Sequence, residues 1–428
     1  MKSTIRPVKG TRDYYPEEMS IRSWIYKQVR HVSQAFGYQE FEGPFLEHIG
    51  LYAAKSGDEL VKEQSFVFPD RGGDLITLRP ELTPSLARMI AQKQNQLNYP
   101  LRWWSWGPFW RYERPQKGRT REFFQWNIDL IGVDTPLADA ELIAIIATFF
   151  KNIGLLPSQV NILVNNRALI ESELNALDIS PEKRTDVFHL VDKRDKLSDG
   201  SWMDTANKMG LSIKQIDGIL CLLKNVDLWQ KSEYMIQIFN MIEALELGSY
   251  VKFSPHIIRG LDYYTGTVFE AWDNDGAFRA ILGGGRYDNL VSDVGGNSLP
   301  AVGFAMGDMV IQLVLEKFNL IPREISQSPA RILVTLFNES TYSESLSFSK
   351  KLREAGMNVI CYPEYTKLSK QFKYADRMNI PLVVIIGPDE ITSNSVVIKN
   401  LLTRDQYTIP IDDAIPYINK LLDNNIPS

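Results

Sequence analysis

Two aromatic segments separated by a basic loop constrain the fold of this chain most strongly. Residues 101–113 read LRWWSWGPFWRYE, residues 121–133 read REFFQWNIDLIGV, and RPQKGRT lies between them. Aromatic residues favour strands, whereas proline and glycine favour turns. The pattern predicts an antiparallel hairpin whose long loop carries the cations Arg114, Lys117 and Arg119, with Arg121 just beyond.

The C-terminal part of the chain has a different periodicity. Strand-like and helical segments alternate there, with strands predicted at 332–337, 358–363 and 381–387 and helices at 341–355 and 366–378. Such alternation is typical of a parallel sheet with crossover helices. A segment rich in proline and serine at 321–331 precedes it. The sequence therefore predicts a linker followed by an α/β domain over residues 331–428.

The region before the linker is predicted to be an α+β domain over residues 1–325, built around the hairpin. Within it, residues 171–247 are helical in pattern, which predicts a helical insertion. Strand character returns at 250–271 and 278–282. The run GGGRYD at 283–288 predicts a tight turn.

Composition excludes several classes of protein. With 47 basic and 52 acidic residues the net charge is −5, which argues against non-specific coating of nucleic acid but not against a local basic patch. The two cysteines, Cys221 and Cys361, are too few and too far apart for a disulfide framework. No histidine pair has metal-ligand spacing, and no apolar run reaches the roughly 18–20 residues of a membrane span. These features predict a cytoplasmic protein.

Three constellations are candidates for binding chemistry. The basic loop suits a polyphosphate or an RNA end, although cations at a hairpin tip are also often only solvated. Strand alternation places Gln125, Asn127 and Asp129 on one face, either as acceptors for a ligand N–H or facing water. The glycine run at 283–285 permits close approach of a ligand or only a turn. No GxxxxGK[ST] motif is present, so any ATP site uses another scaffold.

Taken together, five segments resemble the signatures of the histidyl-tRNA synthetases, which are class II aminoacyl-tRNA synthetases. These segments are KGTRDY (9–14), RPELT (79–83), FWRYERPQKGR (109–119), RGLDYY (259–264) and GGGRYD (283–288). The resemblance covers essentially the whole chain. It implies a class II antiparallel catalytic sheet flanked by helices over residues 1–325, the helical insertion, and an anticodon-binding domain over residues 331–428.

The resemblance also implies a homodimer and a two-step reaction. Histidine and ATP, with Mg²⁺, give histidyl-adenylate, and histidine then passes to the 3′ end of tRNA(His). Five residues match the catalytic and ATP-binding positions of the family. Arg111 and Arg259 correspond to the arginines that act at the α-phosphate. Arg119 corresponds to the γ-phosphate arginine, Glu113 lies near ATP and the metal, and Phe123 stacks on adenine. No metal site made by protein groups alone is implied.

The remaining carried-over positions concern histidine and tRNA. Asp129 and Tyr264 match the pair that reads the imidazole nitrogens, and Tyr287 lies in the glycine segment that closes the pocket. The other residues expected around histidine are Glu81, Thr83, Gln125 and Tyr263. For tRNA we expect Lys117 in the hairpin loop and, in the C-terminal domain, Lys367, Lys370 and Lys373 at helical spacing. A solvated helix face is the alternative for these last three lysines.

One motif departs from the family pattern. The helix that normally starts Gly-hydrophobic-Glu-Arg reads Gly307-Asp308-Met309-Val310, so valine stands where an arginine covers the second face of adenine. Either adenine binds there without a cation, or Arg279 or Arg286 takes that place. The departure also raises an alternative function, that of the non-catalytic paralogue that serves as regulatory subunit of ATP phosphoribosyltransferase. That paralogue usually lacks the C-terminal domain, which this chain is predicted to have.

Overall fold

The computed structural model describes residues 5–53, 64–192, 194, 197–257, 264–322, 325 and 328–424. Its contacts divide the chain into two compact units, one comprising Met1–Asp13 with Arg22–Ile321 and the other Tyr14–Ile21 with Pro322–Ser428. Among the described residues, no helix has both the length and the hydrophobicity that are needed to cross a membrane.

Up to residue 321 strands and helices are mixed. The strands are β1 (Gln39–Glu40), β2 (Leu46–His48), β3 (Phe66–Pro69), β4 (Leu75–Leu78), β5 (Leu101–Trp110), β6 (Glu122–Ile131), β7 (Val160–Asn166), β8 (Val251–Phe253), β9 (Thr267–Asp273), β10 (Leu282–Tyr287) and β11 (Ala301–Gly307). The helices are α1 (Pro16–Ala35), α2 (Gly50–Ala53), α3 (Thr83–Lys93), α4 (Pro136–Asn152), α5 (Arg167–Ala176), α6 (Pro181–Asp192), α7 (Asp199–Lys208), α8 (Ile213–Lys224), α9 (Glu233–Ala244), α10 (Leu290–Asp293) and α11 (Asp308–Lys317).

The central sheet confirms the predicted antiparallel architecture. Within the described residues it has eight strands in the order β1-β5-β6-β11-β10-β9-β7-β8. All pairs are antiparallel except the two outermost, β1 with β5 and β7 with β8. A smaller antiparallel sheet has the order β2-β4-β3.

The predicted hairpin is confirmed as β5 and β6, which pair over their full length from Leu101 opposite Ile131 to Trp110 opposite Glu122. Its aromatic residues form much of the core because Trp104, Phe109 and Trp126 are almost completely buried. The Trp126 ring packs edge-on against Phe304 of β11, with the ring centroids 4.9 Å apart. This packing fixes the face of the sheet that carries the polar residues of β6.

The predicted helical insertion is confirmed in the part of the chain that the structure describes, where α5 to α9 follow one another. Polar side chains cap these helices. The Asn166 side chain accepts a hydrogen bond from Leu169 N, and Ser212 and Gln215 form a capping box at the start of α8. Such caps satisfy backbone N–H groups that have no partner inside the helix.

The prediction of a tight turn at 283–288 is wrong, as is that of a strand at 278–282. The glycines lie inside β10, which pairs with both β9 and β11. A Cβ at Gly284 would lie 2.3 Å from Gly303 O and 2.5 Å from Phe304 Cβ. The glycines are therefore required by close packing within the sheet and not by a change of chain direction.

The C-terminal unit confirms the predicted α/β fold and extends it. Its strands are β12 (Ile332–Val334), β13 (Val359–Cys361), β14 (Leu382–Ile385), β15 (Ser395–Asn400) and β16 (Gln406–Pro410). Its helices are α12 (Tyr342–Glu354), α13 (Leu368–Arg377), α14 (Pro388–Thr392) and α15 (Ala414–Asn424). Strand β12 pairs in parallel with β13 and β14, as βαβ units require, and β15 and β16 add an antiparallel edge. Aliphatic residues such as Ile332, Val384 and Ile398 form the core.

Candidate active site

The polar face of β6 is opened by small residues on the strands beside it. Gln125, Asn127 and Asp129 alternate along β6 and point to one face of the sheet. Their cross-strand partners on β11 are Gly307, Ala305 and Gly303, and those of Gln125 and Asn127 on β5 are Gly107 and Ser105. Small partners leave room above the strand for a ligand.

A cavity of about 90 Å³ lies over this face. It is lined by Glu81, Thr83, Arg111, Gln125, Asn127, Asp129, Tyr264, Gly283, Tyr287, Gly303, Phe304 and Ala305. The structure thus brings together, from four separate segments, six of the seven residues expected around histidine. The seventh, Tyr263, lies outside the described residues. We call this space the polar cavity.

Asp129 and Tyr287 form a buried pair in the lining of the polar cavity. The Tyr287 hydroxyl donates a 2.5 Å hydrogen bond to Asp129 Oδ1, and both residues are at most 6% exposed. Burial raises the pKa of Asp129 to about 7, and the bond from Tyr287 opposes this only in part. A Cβ at Gly303 would lie 2.0 Å from Asp129 Oδ1, so any larger residue at this position would clash with the carboxyl group.

Segment 79–83 is joined to β5 by a buried arginine, which explains how Glu81 and Thr83 reach the cavity. Arg79 is completely buried, forms an ion pair with Glu42 and donates through Nε to Pro108 O at 3.0 Å. A Cβ at Gly107 would lie 2.2 Å from the Arg79 guanidinium. Glycine in β5 is therefore needed for the arginine to pack there.

Tyr264 lies against β10, where a Cβ at Gly285 would be 3.0 Å from its ring. Tyr287 ends the same strand, directly after Arg286. Arg286 is buried, pairs with Asp139 at 2.6 Å and donates to Val133 O. Tyr287 therefore lies on a strand and not in the loop that the sequence suggested.

A second cavity of about 110 Å³ lies beside the first. It is lined by Arg111, Glu113, Gly118, Arg119, Thr120, Phe123, Arg279, Gly307, Asp308, Met309 and Val310. The four described residues expected at ATP or its phosphates, Arg111, Glu113, Arg119 and Phe123, all line it. Arg111 lines both cavities. We call this second space the arginine cavity.

The hairpin loop begins earlier than the sequence suggested. Strand β5 ends at Trp110, so Arg111 and Glu113 lie in the loop and not on a strand. Arg111 Nε donates to Pro80 O at 3.0 Å, and Arg119 forms an ion pair with Glu113. Arg111 is therefore attached to segment 79–83, which lines the polar cavity.

Val310 and Arg279 both line the arginine cavity. Val310 is 8% exposed and faces Gly118 of the hairpin loop, so it contributes an apolar surface only. Arg279 comes from the connection between β9 and β10, where Asp273 accepts hydrogen bonds from the N–H groups of Ala277 and Phe278. Of the two arginines considered as replacements for Val310, Arg279 reaches this cavity and Arg286 is held by Asp139.

Carboxylates near the arginine cavity are few. The described residues include no group of three or more His, Cys, Asp or Glu side chains placed to hold a metal ion. Glu113 and Asp308 line the cavity, and Asp308 pairs with Arg12 at 3.0 Å and accepts a bond from Phe124 N. One carboxylate together with substrate phosphates is a common Mg²⁺ arrangement, and Glu113 fits it.

The other predicted site residues are distributed as follows. Arg259 lies outside the described residues. Lys117 Nζ is 5.3 Å from the Phe278 ring centroid, at the edge of the hairpin loop. In the C-terminal unit Lys367, Lys370 and Lys373 are exposed at the start of α13 and along it, and Lys370 pairs with Glu364 at 2.6 Å.

Several cavity residues were not among the predicted site residues, and two of them, Asn127 and Arg279, have side chains that can bind a polar ligand. Asn127 stands between Gln125 and Asp129 on the same strand face, and alternation alone was the signal for it. Arg279 has no motif around it, and only the missing arginine at position 310 directs attention to it. Its place depends on how the β9–β10 connection folds.

Family models match the two parts of the chain separately. One described as histidyl-tRNA synthetase matches residues 10–309, and one described as anticodon binding domain matches residues 331–421. Among relatives, a chloroplastic/mitochondrial histidine–tRNA ligase of Arabidopsis thaliana is 36% identical over 96% of this chain and 86% of its own. The histidine–tRNA ligase of Thermoplasma volcanium is 36% identical over 97% of this chain and 99% of its own.

Solved structures agree with this match. A histidyl-tRNA synthetase from Nostoc sp. PCC 7120 has a TM-score of 0.84 and 25% identity, and it covers 98% of this chain and 100% of its own. A Bacillus halodurans protein described as an ATP phosphoribosyltransferase regulatory subunit/histidyl-tRNA synthetase has a TM-score of 0.72 and 22% identity, covering 87% of this chain and 97% of its own. The latter likeness shows the fold alone.

Proposed function

The chain belongs to the histidyl-tRNA synthetase family, and from this premise we propose how its two cavities work together. The chain is an aminoacyl-tRNA synthetase, a ligase that joins histidine to tRNA. In the proposed scheme histidine binds in the polar cavity and ATP in the arginine cavity. One observation carries the scheme: Arg111 lines both, so one guanidinium reaches the amino acid carboxylate and the α-phosphate together.

The first step is in-line attack of the histidine carboxylate on the α-phosphorus of ATP. An oxygen–phosphorus bond forms to give histidyl-adenylate, and pyrophosphate leaves. The two reacting groups are anions that repel each other, so the enzyme must align them and stabilise the charge that develops. We assign this to Arg111 and Arg259. In the second step the adenylate transfers histidine to the 3′ end of tRNA and releases AMP.

Histidine selection is assigned to the part of the polar cavity around Asp129 and Tyr264. Asp129, oriented by Tyr287, would accept the imidazole N–H, and Tyr264 would meet the other ring nitrogen. Glu81, Thr83 and Gln125 receive the α-ammonium group, which needs acceptors. An amino acid without ring nitrogens would leave these buried groups unpaired, and this penalises it.

ATP is assigned to the arginine cavity with Phe123 stacked on adenine and Arg119 at the γ-phosphate. In the family an arginine at the position of Val310 covers the second face of adenine. We propose that Arg279 supplies this cation here. Support comes from its position in the lining of the same cavity as Met309 and Val310. The Arg119–Glu113 pair would open so that each residue meets the nucleotide. Mg²⁺ would be held by Glu113 and the phosphates, and when bound it would neutralise part of their charge.

The tRNA is proposed to contact both parts of the chain, with residues 1–325 as the catalytic domain, 171–247 as its insertion and 331–428 as the anticodon-binding domain. Exposed Lys367, Lys370 and Lys373 would meet phosphates of the anticodon stem, and Lys117 the acceptor end. The match of residues 331–421 to an anticodon-binding model supports this assignment.

We further propose a homodimer in the cytoplasm. The small sheet and the residue before it expose the large apolar side chains of Phe45, Leu46, Val67, Phe68 and Leu75, and contact with a second copy of this chain would remove part of this apolar area from water. Two unbridged cysteines are consistent with a reducing compartment. Sedimentation of the intact chain at micromolar concentration tests the assembly, because a monomer would contradict it.

Charging of tRNA with radiolabelled histidine tests the function as a whole. The expected result is ATP-dependent transfer of histidine to a minor fraction of total tRNA. The alternative of a regulatory subunit for ATP phosphoribosyltransferase is not favoured, since the chain also matches an anticodon-binding model and full-length ligases. An intact, folded chain that binds histidine without charging any tRNA would revive that alternative.

A further inference from the structure

The segment that carries Tyr264 to the polar cavity is bound by an arginine at the start of the helical insertion. Arg167 is the first residue of α5 and follows directly on strand β7. Its backbone N–H donates to Gly266 O at 2.9 Å, and its Nη1 donates to Tyr264 O at 3.1 Å. One residue therefore binds two carbonyl groups of segment 264–266.

The same guanidinium is also bound to two helices of the insertion. Its Nε donates to Glu171 Oε1 at 3.1 Å, one turn further along α5. Its Cζ lies 4.9 Å from the centroid of the Phe188 ring in α6, which is within the range of a cation–π contact. Because the Arg167 side chain is only 27% exposed, water competes little with these contacts. Glu171 and Phe188 therefore orient the guanidinium that reaches Tyr264.

The opposite side of segment 264–266 is bound to the central sheet. Thr265 N donates to Arg286 O at 2.8 Å, and the Thr265 hydroxyl donates to Asp288 Oδ2 at 2.5 Å. Arg286 is buried and belongs to β10, so this side is anchored in the sheet. The segment is thus held between β10 on one side and the insertion on the other.

The backbone position of Tyr264 determines where its ring lies. The ring packs so closely over β10 that a Cβ at Gly285 would be 3.0 Å from it. Movement toward β10 is therefore restricted, and a shift of the backbone would carry the ring across the polar cavity, which Tyr264 lines. The bond from Arg167 to Tyr264 O opposes such a shift.

We propose that Arg167 is a positioning residue that fixes Tyr264 in the lining of the polar cavity and couples it to α5 and α6. This rests on the proposed function and deepens it, because Tyr264 is assigned to one ring nitrogen of histidine. Histidine binding and ordering of the first helices of the insertion then favour each other, since the coupling between two sites is reciprocal.

The first test is Arg167→Met, which keeps the apolar stem of the side chain and removes the guanidinium. The KM for histidine in ATP–pyrophosphate exchange should rise roughly 10-fold, the scale for losing a hydrogen bond from a charged donor, while the KM for ATP stays within about 2-fold. Arg167→Lys restores a donor and should recover part of the histidine affinity. An unchanged histidine KM, or equal rises in both KM values, would overturn the proposal.

Arg194→Met is the matched control. Arg194 pairs with Asp199 at 2.7 Å, and its Cζ lies 5.4 Å from the centroid of the Trp202 ring. Both partners belong to α7, so this variant loses an ion pair and a cation–π contact within the insertion alone. Its histidine KM should stay within about 2-fold of the wild type. A rise as large as that of Arg167→Met would mean that any loosening of the insertion weakens histidine binding, and the specific role of Arg167 would fall.

A double-mutant cycle with Tyr264→Phe shows whether Arg167 acts through Tyr264. Once the hydroxyl is gone, the exact position of the ring matters less, so Arg167→Met should raise the histidine KM by a smaller factor in that background than in the wild type. Residues that act through one another are not additive, whereas independent residues are. Factors that simply multiply would contradict the proposed route.

Amide hydrogen exchange of the wild-type chain tests the coupling without any substitution. Saturating histidine should slow amide exchange in α5 and α6, because it stabilises the arrangement that Arg167 shares with them. The protection should disappear in Arg167→Met. Protection of segment 264–266 and β10 alone in the wild type would overturn the coupling.

Failure of the proposed function gives a different result. A wild type without histidine-dependent ATP–pyrophosphate exchange would remove the function itself. Wild-type activity combined with a normal histidine KM in Arg167→Met would contradict only the role of Arg167.

Discussion

The Tyr287 hydroxyl donates a hydrogen bond to Asp129 Oδ1, and this bond orients the carboxyl in the lining of the polar cavity. Burial raises the pKa of Tyr287 far above its usual value, so the phenol remains a donor throughout the neutral range. One carboxyl oxygen, Oδ1, is thereby occupied. The pair converts a flexible acidic side chain into an oriented acceptor.

The raised pKa of Asp129 predicts that the free energy of unfolding of the ligand-free protein falls as the pH rises. Its folded pKa of about 7 exceeds the ordinary 3.8, so the stability that the protonated form provides is complete below about pH 4 and is lost as the pH rises to 7. The loss is at most roughly 4 kcal/mol, taking 1.36 kcal/mol for each pKa unit.

Asp129→Asn should therefore be more stable than the wild type at pH 8 and show little advantage at pH 4.5. Thermal unfolding of both proteins without histidine, at the two pH values, measures the difference. If Asp129→Asn were more stable than the wild type by the same amount at both pH values, Asp129 would have an ordinary pKa.

Gly303 should control the position of Asp129. An added Cβ would lie 2.0 Å from Oδ1 and 2.7 Å from Ile128 O, so Gly303→Ala must displace the carboxyl or the backbone. We expect the KM for histidine to rise roughly 10-fold or more, because a buried polar contact of 1–3 kcal/mol is lost. The control is Gly200→Ala in α7, where nothing lies within 4 Å of the added carbon. Equal histidine KM values for the two variants would refute the steric argument.

Arg279 should affect ATP and not histidine. Loss of a cation facing an aromatic ring weakens binding by about 3- to 30-fold, so Arg279→Ala should raise the KM for ATP by such a factor and leave the KM for histidine unchanged. Arg353→Ala, at an exposed position in the C-terminal unit, is the control. If Arg279→Ala instead changes only the KM for pyrophosphate, the guanidinium acts on phosphates and not on the base.

The lysines of α13 should serve tRNA alone. Replacing Lys367, Lys370 and Lys373 together by alanine should raise the KM for tRNA roughly 10-fold or more and flatten its salt dependence, since phosphate contacts release counterions. Exchange, which needs no tRNA, should be unaffected. Lys350→Ala in α12 removes a comparable exposed lysine and should change neither. A normal tRNA KM in the triple variant would favour the solvated-face interpretation.

The sequence predicts much of the fold because local pattern and tertiary packing agree there. The aromatic runs at 101–113 and 121–133 become β5 and β6, and the alternating C-terminal pattern becomes the parallel strands β12, β13 and β14. The run at 283–285 was misread because glycine is more often found in turns, whereas here close contact with Gly303 and Phe304 requires it in a central strand. Short edge strands such as β2 have too few residues to form a pattern.

The sequence predicts the site residues that belong to recognisable motifs. It does not predict the residues that reach the site only through long-range packing. Asn127 lies on the polar face that strand alternation predicts, although it belongs to no motif. Arg279 reaches its cavity because Asp273 folds the preceding loop and Lys317 bridges Asp273 and Asp275. Such tertiary contacts leave no local signal.

The central claim is that Arg111 joins the two cavities into one adenylation site. Histidine-dependent ATP–pyrophosphate exchange by the wild type and Arg111→Ala tests it most directly. The wild type should exchange with histidine and not with other amino acids, and Arg111→Ala should lose roughly 10²-fold or more in kcat, the scale for removing one preorganised charge. A folded Arg111→Ala enzyme with near-normal kcat, or a wild type that exchanges without histidine, would contradict the account.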